Sequence, residues 1–220
     1  YCFVMASIRG MKEKAAALGY NPYAPTPESL KLVKKEMKKE RSICKTVVLA
    51  CAYGAGVNKI VETLENDNIF LDYREVEAIH SGYWNLFAKV KDFGRALYFE
   101  WKRNRGYILN GMGRPMAVDE NYSKDLLNRF VQSTGHDILV MYANLLAEEL
   151  DRQGIRWKPL IMDFHDATTV EVPEEQGEAT AQCFYTALNR LNERLNGTIK
   201  LKGVAVIGRD LAECKEPEEE

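Results

Sequence analysis

Four side chains recur at intervals of four residues within "RSICKTVVLACAYG", residues 41–54: Arg41, Lys45, Leu49 and Tyr53. A step of four residues drifts by only about 40° around a helix, so all four side chains share one face. Two cations at one end can hold a polyphosphate by charge-assisted hydrogen bonds, and the other two side chains can pack on a sugar and a base. The spacing therefore fits an extended nucleotide; an amphipathic surface helix with two ordinary basic residues is the alternative.

A second group that could carry chemistry is Asp166, in "MDFHDATTVEV". Two strand-like segments flank His165 and Asp166, and a carboxylate at such a hairpin projects from the end of a sheet. A divalent ion and a phosphate can reach it there, and Mg²⁺ prefers hard oxygen ligands of this kind. Aspartate is also common in turns because its side chain bonds the local backbone, and His165 could simply pack beside the sheet.

The elements that position these residues are mostly helical. In "NPYAPTPESL", Thr26 is predicted to cap and Pro27 to open a helix that runs to about residue 53. Further helices are predicted over residues 73–103, interrupted at Gly82 and Gly94, and over 123–152 and 174–195. "GYILNGMGRPMAV" predicts a hairpin that turns at Asn110 and Gly111, and strands are predicted over 159–164, 167–172 and 199–207. Helices first and an antiparallel sheet last predict an α+β fold.

Composition limits the class of protein. The chain has 220 residues, 46% of them hydrophobic, which is enough for one large globular domain or two modest ones. It contains no run of eighteen apolar residues and no opening stretch long enough for a secretory signal, so we expect a cytoplasmic protein without membrane segments. The five cysteines show no metal-ligand spacing, so neither disulfides nor zinc are expected.

Charge is unevenly distributed along the chain. The net charge of −2 argues against a wholly basic nucleic-acid binder. Residues 31–45 nevertheless carry seven lysines and arginines against two glutamates, which favours a local basic face. A solvated helix surface is the alternative interpretation of that run.

Taken together and in this order, these stretches resemble the motifs of family A DNA polymerases, the bacterial polymerase I type, with the overall look of a phage enzyme. "RSICKTVVLACAYG" is similar to the family's R-x3-K-x7-YG motif, and "FHDATTVEV" is similar to its His-Asp palm motif. "GYILNGMGRPMAV" resembles its Gly-Tyr/Gly-Arg hairpin, and "NRFVQSTGHDIL" resembles its N-x3-Q-G-T-x2-D helix. The resemblance extends from about residue 1 to residue 214.

The resemblance implies a subdivision of the chain. A mostly helical fingers subdomain would cover residues 1–118 and include the nucleotide-binding helix at 27–53. Part of an antiparallel-sheet palm, with the His-Asp hairpin, would cover residues 119–214. An acidic tail would follow at residues 215–220.

The resemblance also implies roles for individual residues. Arg41 and Lys45 would bind the triphosphate of the incoming dNTP and take part in catalysis, Leu49 would face the sugar, and Tyr53 would lie by the templating position. Asp166 would ligate the two catalytic Mg²⁺ ions. The residues expected to contact primer-template DNA are Arg114, Lys124, Asn128, Gln132 and His165.

Three positions depart from the family pattern. Leu49 stands where the family usually has an aromatic residue against the sugar. Ala167 replaces the acidic residue that usually follows the palm aspartate, and Ser133 replaces the glycine after the palm-helix glutamine.

The family's other metal-binding aspartate belongs to a D-Y-S-x-x-E-like motif upstream of the fingers, and residues 1–40 contain no such stretch. We therefore expect a companion polypeptide or an upstream segment to carry this aspartate, the thumb and any exonuclease. The expected function is that of a DNA-directed DNA polymerase, incomplete as this chain alone, acting in the host cytoplasm if the protein is viral. The alternative is a non-catalytic DNA-binding polymerase remnant or accessory module.

Overall fold

The computed structural model describes residues 1–5, 11–157, 162–164, 167–197 and 200–214. Helices predominate within these ranges, and short strands form two separate antiparallel hairpins, which confirms the predicted α+β class. The helices are α1 (Cys2–Met5), α2 (Met11–Ala17), α3 (Pro27–Glu36), α4 (Lys38–Ala52), α5 (Val57–Asn66), α6 (Tyr73–Leu86), α7 (Ala88–Arg103), α8 (Leu126–Arg152) and α9 (Gly177–Leu195). The strands are β1 (Tyr107–Leu109), β2 (Pro115–Ala117), β3 (Met162–Phe164) and β4 (Ala167–Thr169).

The chain forms two compact units, Tyr1–Gln132 and Ser133–Glu220. In the first unit, helices α1 to α7 and the β1–β2 hairpin enclose several hydrophobic clusters. In the second, α8 and α9 pack on a separate cluster that includes Leu145 and Leu191. Fingers and palm are functional assignments that these units do not test, so the division at residues 118 and 119 stays a prediction. The predicted acidic tail, 215–220, lies outside the described residues.

The predicted start of the first long helix is confirmed. Thr26 has extended backbone angles and its Oγ1 accepts a hydrogen bond from the backbone N–H of Ser29, while the Thr26 N–H donates to the Ser29 Oγ. Pro27 follows as the first helical residue, where its missing N–H costs no hydrogen bond.

No helix in the described part of the chain is long and apolar enough to cross a membrane.

The prediction of one continuous helix over residues 27–53 is wrong, because the helix bends at Met37. Met37 has φ −115° and ψ 36°, and it separates α3 from α4. Hydrogen bonds of helical spacing continue through the bend, from the Met37 N–H to the Val33 carbonyl and from the Arg41 N–H to the Met37 carbonyl. The Met37 side chain is buried in a cluster with Val33 and Cys44. Packing therefore sets this bend, with no glycine or proline to mark it in the sequence.

The predicted interruptions at Gly82 and Gly94 are also wrong. Both glycines lie inside helices, in α6 and α7, and the break between these helices falls at Phe87. The Phe87 N–H bonds the Tyr83 carbonyl, and the two rings lie 5.0 Å apart between centroids. Phe87 packs against the buried cluster that contains Tyr83. The helix is therefore interrupted at a packed aromatic residue and not at either glycine.

Both predicted hairpins are present. In the first, Ile108 pairs with Met116, and the connection covers residues 110–114, wider than the expected turn at Asn110 and Gly111. In the second, Phe164 pairs with Ala167. His165 and Asp166, the two residues between β3 and β4, lie outside the described residues.

The strand predicted over residues 199–207 is wrong in its described part, 200–207, which forms no strand. This segment is bonded to side chains of α9 instead of to another strand. Leu201 exchanges two hydrogen bonds with the amide of Asn192, at 2.8 and 3.0 Å, and the Ala205 N–H donates to the Tyr185 hydroxyl at 3.2 Å. The β-branched residues of this segment favour a strand, but a strand also needs a neighbouring strand with which its backbone can pair.

Gly54 ends α4 and brings it against the segment that leads into α8. It has φ +73°, and the hydrogen bonds from Gly54 N–H to the Cys51 carbonyl and from Ala55 N–H to the Ala50 carbonyl complete a Schellman motif. A Cβ at Gly54 would lie 2.9 Å from the Lys124 carbonyl oxygen. Glycine is therefore needed twice here, for its backbone conformation and for the close approach.

We predict that Gly54→Ala lowers the free energy of unfolding by more than the backbone strain alone. Gly19 is the matched control, because it ends α2 in the same motif at φ +75° with nothing near its missing Cβ. Urea unfolding should show a loss of about 1 kcal/mol for Gly19→Ala and at least about 1 kcal/mol more for Gly54→Ala. Equal losses in the two variants would contradict the close approach to Lys124.

In the second unit, α8 carries a buried carboxylate. Glu149 is 1% exposed, and it accepts hydrogen bonds from Arg152 at 2.6 Å and from Gln153 at 3.2 Å. Arg190 from α9 lies 3.7 Å from the same carboxylate. The hydrogen bond from Arg152 lowers the pKa of Glu149 below its ordinary value of 4.5, although burial acts in the opposite direction.

This carboxylate should make the stability of the chain depend on pH. Because the folded-state pKa is lowered, the stabilisation is fully present above pH 4.5 and is lost as the pH falls through the folded pKa. We expect Glu149→Gln to lower the free energy of unfolding at pH 7 by about 1–3 kcal/mol, with a difference that shrinks below pH 4.5. The exposed neighbour Glu148, which pairs with Arg190 at 2.7 Å, is the control. A pH-independent loss, or an equal loss for Glu148→Gln, would contradict this account.

Candidate functional site

Helix α4 has one buried and one exposed face. Its buried face, which packs into the clusters of the first unit, consists of Ile43, Cys44, Val47 and Cys51. Lys45 is exposed, Leu49 is 42% exposed and Tyr53 is 53% exposed. The predicted shared face therefore exists, and burial of the opposite side fixes its orientation.

The two cations of this face have no carboxylate partner among the described residues. The guanidinium of Arg41, which is half-buried, lies 5.8 Å from the centre of the Tyr1 ring. Glu40 is the neighbouring acidic residue, but it pairs with Lys14 at 2.9 Å, and this hydrogen bond lowers the pKa of Glu40. The positive charge of Arg41 and Lys45 is thus left available for an anionic ligand.

The segment that Gly54 packs against and the start of α8 carry three of the residues predicted to contact DNA. Lys124 is exposed in the 3₁₀ turn Glu120–Asp125, just before α8. Asn128 and Gln132 follow one turn apart on α8, half-buried and exposed respectively. The first unit therefore contains both the α4 face and these polar side chains, with Gly54 against Lys124 between them.

Arg129 is a residue of this region that sequence analysis missed. Its guanidinium lies 4.8 Å from the centre of the Tyr122 ring. Its Nε is buried and has no hydrogen-bond partner in the described part of the chain. A single arginine between the motif residues Asn128 and Gln132 gave no periodic signal, so only the position of Tyr122 reveals the contact.

The β1–β2 hairpin places Arg114 through a buried asparagine. Asn110 is 4% exposed, and its Oδ1 accepts hydrogen bonds from the backbone N–H groups of Met112 and Arg114, at 3.0 and 2.9 Å. These bonds shape the turn that presents the exposed Arg114. The sequence predicted the hairpin, but not this role of Asn110.

Asp166 and His165, which form the predicted metal site and its neighbour, lie outside the described residues. Among the residues that are described, no group of three or more His, Cys, Asp or Glu side chains could hold a metal ion. The strands on either side of these two residues, β3 and β4, are paired with Asp163 opposite Thr168.

Comparison with known proteins gives consistent matches. The model of DNA polymerase family A matches residues 24–213. The DNA polymerase of Mycobacterium phage D29 is 33% identical over 137 residues, which are 62% of this chain and 21% of that protein. The thermostable DNA polymerase I of Thermus aquaticus is 26% identical over 152 residues, or 64% of this chain and 17% of the relative. The chain thus spans about a fifth of the length of these relatives.

A solved structure with a similar fold is the POL domain of Pol1 from M. smegmatis, in complex with DNA primer-template and dNTP. The TM-score is 0.60 at 18% identity, and the match covers 86% of this chain and 35% of that one. This likeness concerns the fold. The family match, which covers most of the sequence and includes both motif stretches, shows that the chain belongs to DNA polymerase family A.

Proposed function

We propose that this chain supplies the fingers and the later part of the palm of a DNA-directed DNA polymerase. The observation that carries the proposal is the exposed face of α4, where Arg41 and Lys45 have no carboxylate partner in the described structure and are followed by Leu49 and Tyr53. The similar M. smegmatis structure holds a dNTP and primer-template DNA, and family membership supports the same ligands here.

Arg41 and Lys45 would bind the triphosphate. The guanidinium is a planar fork that can hold two phosphate oxygens, and the ammonium acts as a point charge one helical turn away. By neutralising charge on the leaving pyrophosphate, they would stabilise the transition state and orient the nucleotide. Neither side chain needs to break an ion pair with a described residue to do so.

Leu49 and Tyr53 would contact the rest of the nucleotide. The leucine offers an apolar surface to the sugar, whereas the tyrosine ring at the end of α4 would lie by the templating position. Gly54 holds that end of α4 against Lys124. Residues from the adjoining elements would bind the primer-template through phosphate and base-edge contacts: Arg114, Lys124, Asn128, Gln132 and His165.

Asp166 would hold Mg²⁺ at the palm hairpin. A carboxylate is the hard oxygen donor that Mg²⁺ prefers, and two Mg²⁺ ions, when bound, would supply charge neutralisation at the primer 3′-hydroxyl and the phosphates. Polymerisation in this family uses a second aspartate, and residues 1–40 contain no D-Y-S-like motif. We propose that another polypeptide or an upstream segment supplies this carboxylate and the thumb, and that the assembly acts in the cytoplasm.

A non-catalytic DNA-binding remnant or accessory module is the second candidate, because the basic face of α4 could bind DNA without a complete metal site. Such a protein would keep the basic face of α4 and the polar residues of α8 without turning over dNTPs. The two candidates differ in whether a carboxylate from elsewhere comes close to Asp166.

Primer extension separates these candidates. We expect the purified chain to bind primer-template DNA weakly and to extend nothing, and we expect extension once it is co-expressed with the polypeptide or segment encoded directly upstream. In that assembly Asp166→Ala should abolish extension and change DNA affinity by no more than a few fold, since one carboxylate anchors metal ions and little DNA.

Asp67→Ala is the matched control, because Asp67 is exposed at the end of α5 and has no proposed role. It should leave extension unchanged. Undiminished extension by the Asp166→Ala assembly would contradict the metal assignment. Absence of extension in every assembly, with DNA binding retained, would favour the remnant.

A further inference from the structure

A cavity of about 410 Å³ opens beside the C-terminal end of α4, within the first unit. Its wall includes Gly54 and an unusual set of three cationic and three aromatic side chains: Trp84, Lys91, Arg95, Tyr98, Phe99 and Lys124. Of these six, only Lys124 has a part in the function proposed above. The other five come from α6 and α7, and no sequence motif pointed to them.

Three of these side chains form a row along α7. Lys91, Arg95 and Phe99 are spaced by four residues, so they share one face and succeed one another by about 6 Å along the axis. Lys91 has no ion pair with any described residue. Arg95 lies 3.5 Å from Asp92, but both side chains are well exposed, so this pair holds the guanidinium only weakly.

The row ends in an aromatic ring that faces solvent. Phe99 is 69% exposed, although it lines a cavity whose wall is mostly apolar. Its neighbour Tyr98 is already occupied, because it stacks on Trp101 at 5.9 Å and carries the Lys102 ammonium 4.9 Å from its ring centre. Phe99 itself makes a T-shaped contact with Tyr98, with ring centroids 6.1 Å apart, and its high exposure leaves ring surface open to a further stacking partner.

Trp84 is held in place on another side of the cavity. Its Nε1 donates a hydrogen bond to the His80 Nε2 at 3.1 Å, which requires that nitrogen of His80 to be unprotonated. Burial lowers the pKa of His80, and the positive charge of Lys91 lowers it further. The imidazole thus stays a hydrogen-bond acceptor at neutral pH and keeps the Trp84 indole in a fixed orientation.

Proteins commonly bind single-stranded nucleic acid with cations that lie next to an open aromatic ring. The cations follow the phosphates, and the ring stacks on an unpaired base. A base pair inside a duplex cannot offer its face to Phe99, whereas an unpaired nucleotide can. We propose that the α7 row, defined as Lys91, Arg95 and Phe99, binds single-stranded template DNA that has not yet reached the position by Tyr53.

This inference rests on the proposed polymerase function. The cavity is continuous with the proposed templating position, because Gly54, the residue after Tyr53, and Lys124 both lie in its wall. A template strand that leaves the α4 end can therefore reach the cations of α7 and Phe99 along the wall of the same cavity. The family motifs quoted above include no residue of this row.

The test measures the affinity of the 220-residue chain for three fluorescently labelled DNAs: a blunt duplex, and duplexes with a 5′ template overhang of one or six nucleotides. We expect the six-nucleotide overhang to bind about tenfold more tightly than the one-nucleotide overhang, as one or two stacked bases would produce. Phe99→Ala should remove most of that gain, and Lys91→Ala should lower the slope of log affinity against log salt by about one for the long overhang alone.

Lys89→Ala is the matched control, since Lys89 is exposed on α7 but lies two residues from the row and outside the cavity wall. It should leave the overhang gain and the salt slope unchanged. Phe99 and Lys91 are surface side chains, and circular dichroism should confirm that their variants fold. Quenching of Trp84 fluorescence by the long overhang gives a second readout, which a Trp84→Phe variant should lose.

The outcomes separate this inference from the function on which it rests. Binding that does not depend on overhang length, or an overhang gain that survives in both Phe99→Ala and Lys91→Ala, would overturn the inference and leave the proposed function standing. An equal effect of Lys89→Ala and Lys91→Ala would also overturn it, because it would reveal general charge attraction. Absence of binding to all three DNAs would overturn the proposed function and this inference with it.

Discussion

The close approach of Gly54 to the Lys124 carbonyl is the contact on which the arrangement of the first unit depends. A Cβ at residue 54 would lie 2.9 Å from the Lys124 carbonyl oxygen, so only glycine lets the two backbone segments come this close, and its positive φ lets α4 end there in a Schellman motif. The end of the proposed nucleotide-binding helix is thereby held beside the segment that opens α8. Any side chain at residue 54 would push the two elements apart, and with them Tyr53 and Asn128.

Burial of the opposite side of α4 determines which face of the helix is exposed beside this contact. Ile43, Val47 and Cys51 lie in the core of the first unit, so the helix cannot rotate to hide Arg41 and Lys45. Glu40, the acidic residue that could have neutralised them, is bonded to Lys14. In the same unit Lys91, Arg95 and Lys124 line the cavity beside the end of α4, so positive charge is concentrated there although the net charge of the whole chain is −2.

The sequence was informative wherever a local rule decides the structure. A capping threonine before a proline, a Gly-Arg hairpin and a glycine after a helix each have a local physical cause, and the structure has all three. It was misleading where packing decides. The bends at Met37 and Phe87 follow from burial of side chains that look ordinary in a helical pattern, while Gly82 and Gly94 are simply tolerated within helices. Residues 200–207 have strand propensity, but their described backbone bonds to Asn192 and Tyr185.

The residues of the candidate site also fall into two groups: those that a local sequence pattern predicts and those that depend on packing between elements. The face of Arg41, Lys45, Leu49 and Tyr53 could be predicted because a period of four residues is a local property of one helix. The cation–aromatic contact of Arg129 and the α7 row could not, because each depends on which elements meet in space. The role of Asp166 rests on its motif, since the residue lies outside the described part of the chain.

The most direct test of the account is the affinity of the chain for Mg²⁺-dATP, measured in the presence of a primer-template whose templating base is thymine. Lys45→Ala should weaken binding by roughly thirtyfold, or about 2 kcal/mol, because it removes a charged hydrogen-bond donor from the triphosphate. The melting temperature should stay the same, since Lys45 is exposed and has no partner among the described residues. Lys59→Ala, which removes an exposed lysine paired with Glu62, should leave the affinity unchanged. Unaltered dATP affinity in the Lys45→Ala variant, or an equal loss in both variants, would contradict the assignment of α4 as the nucleotide-binding helix.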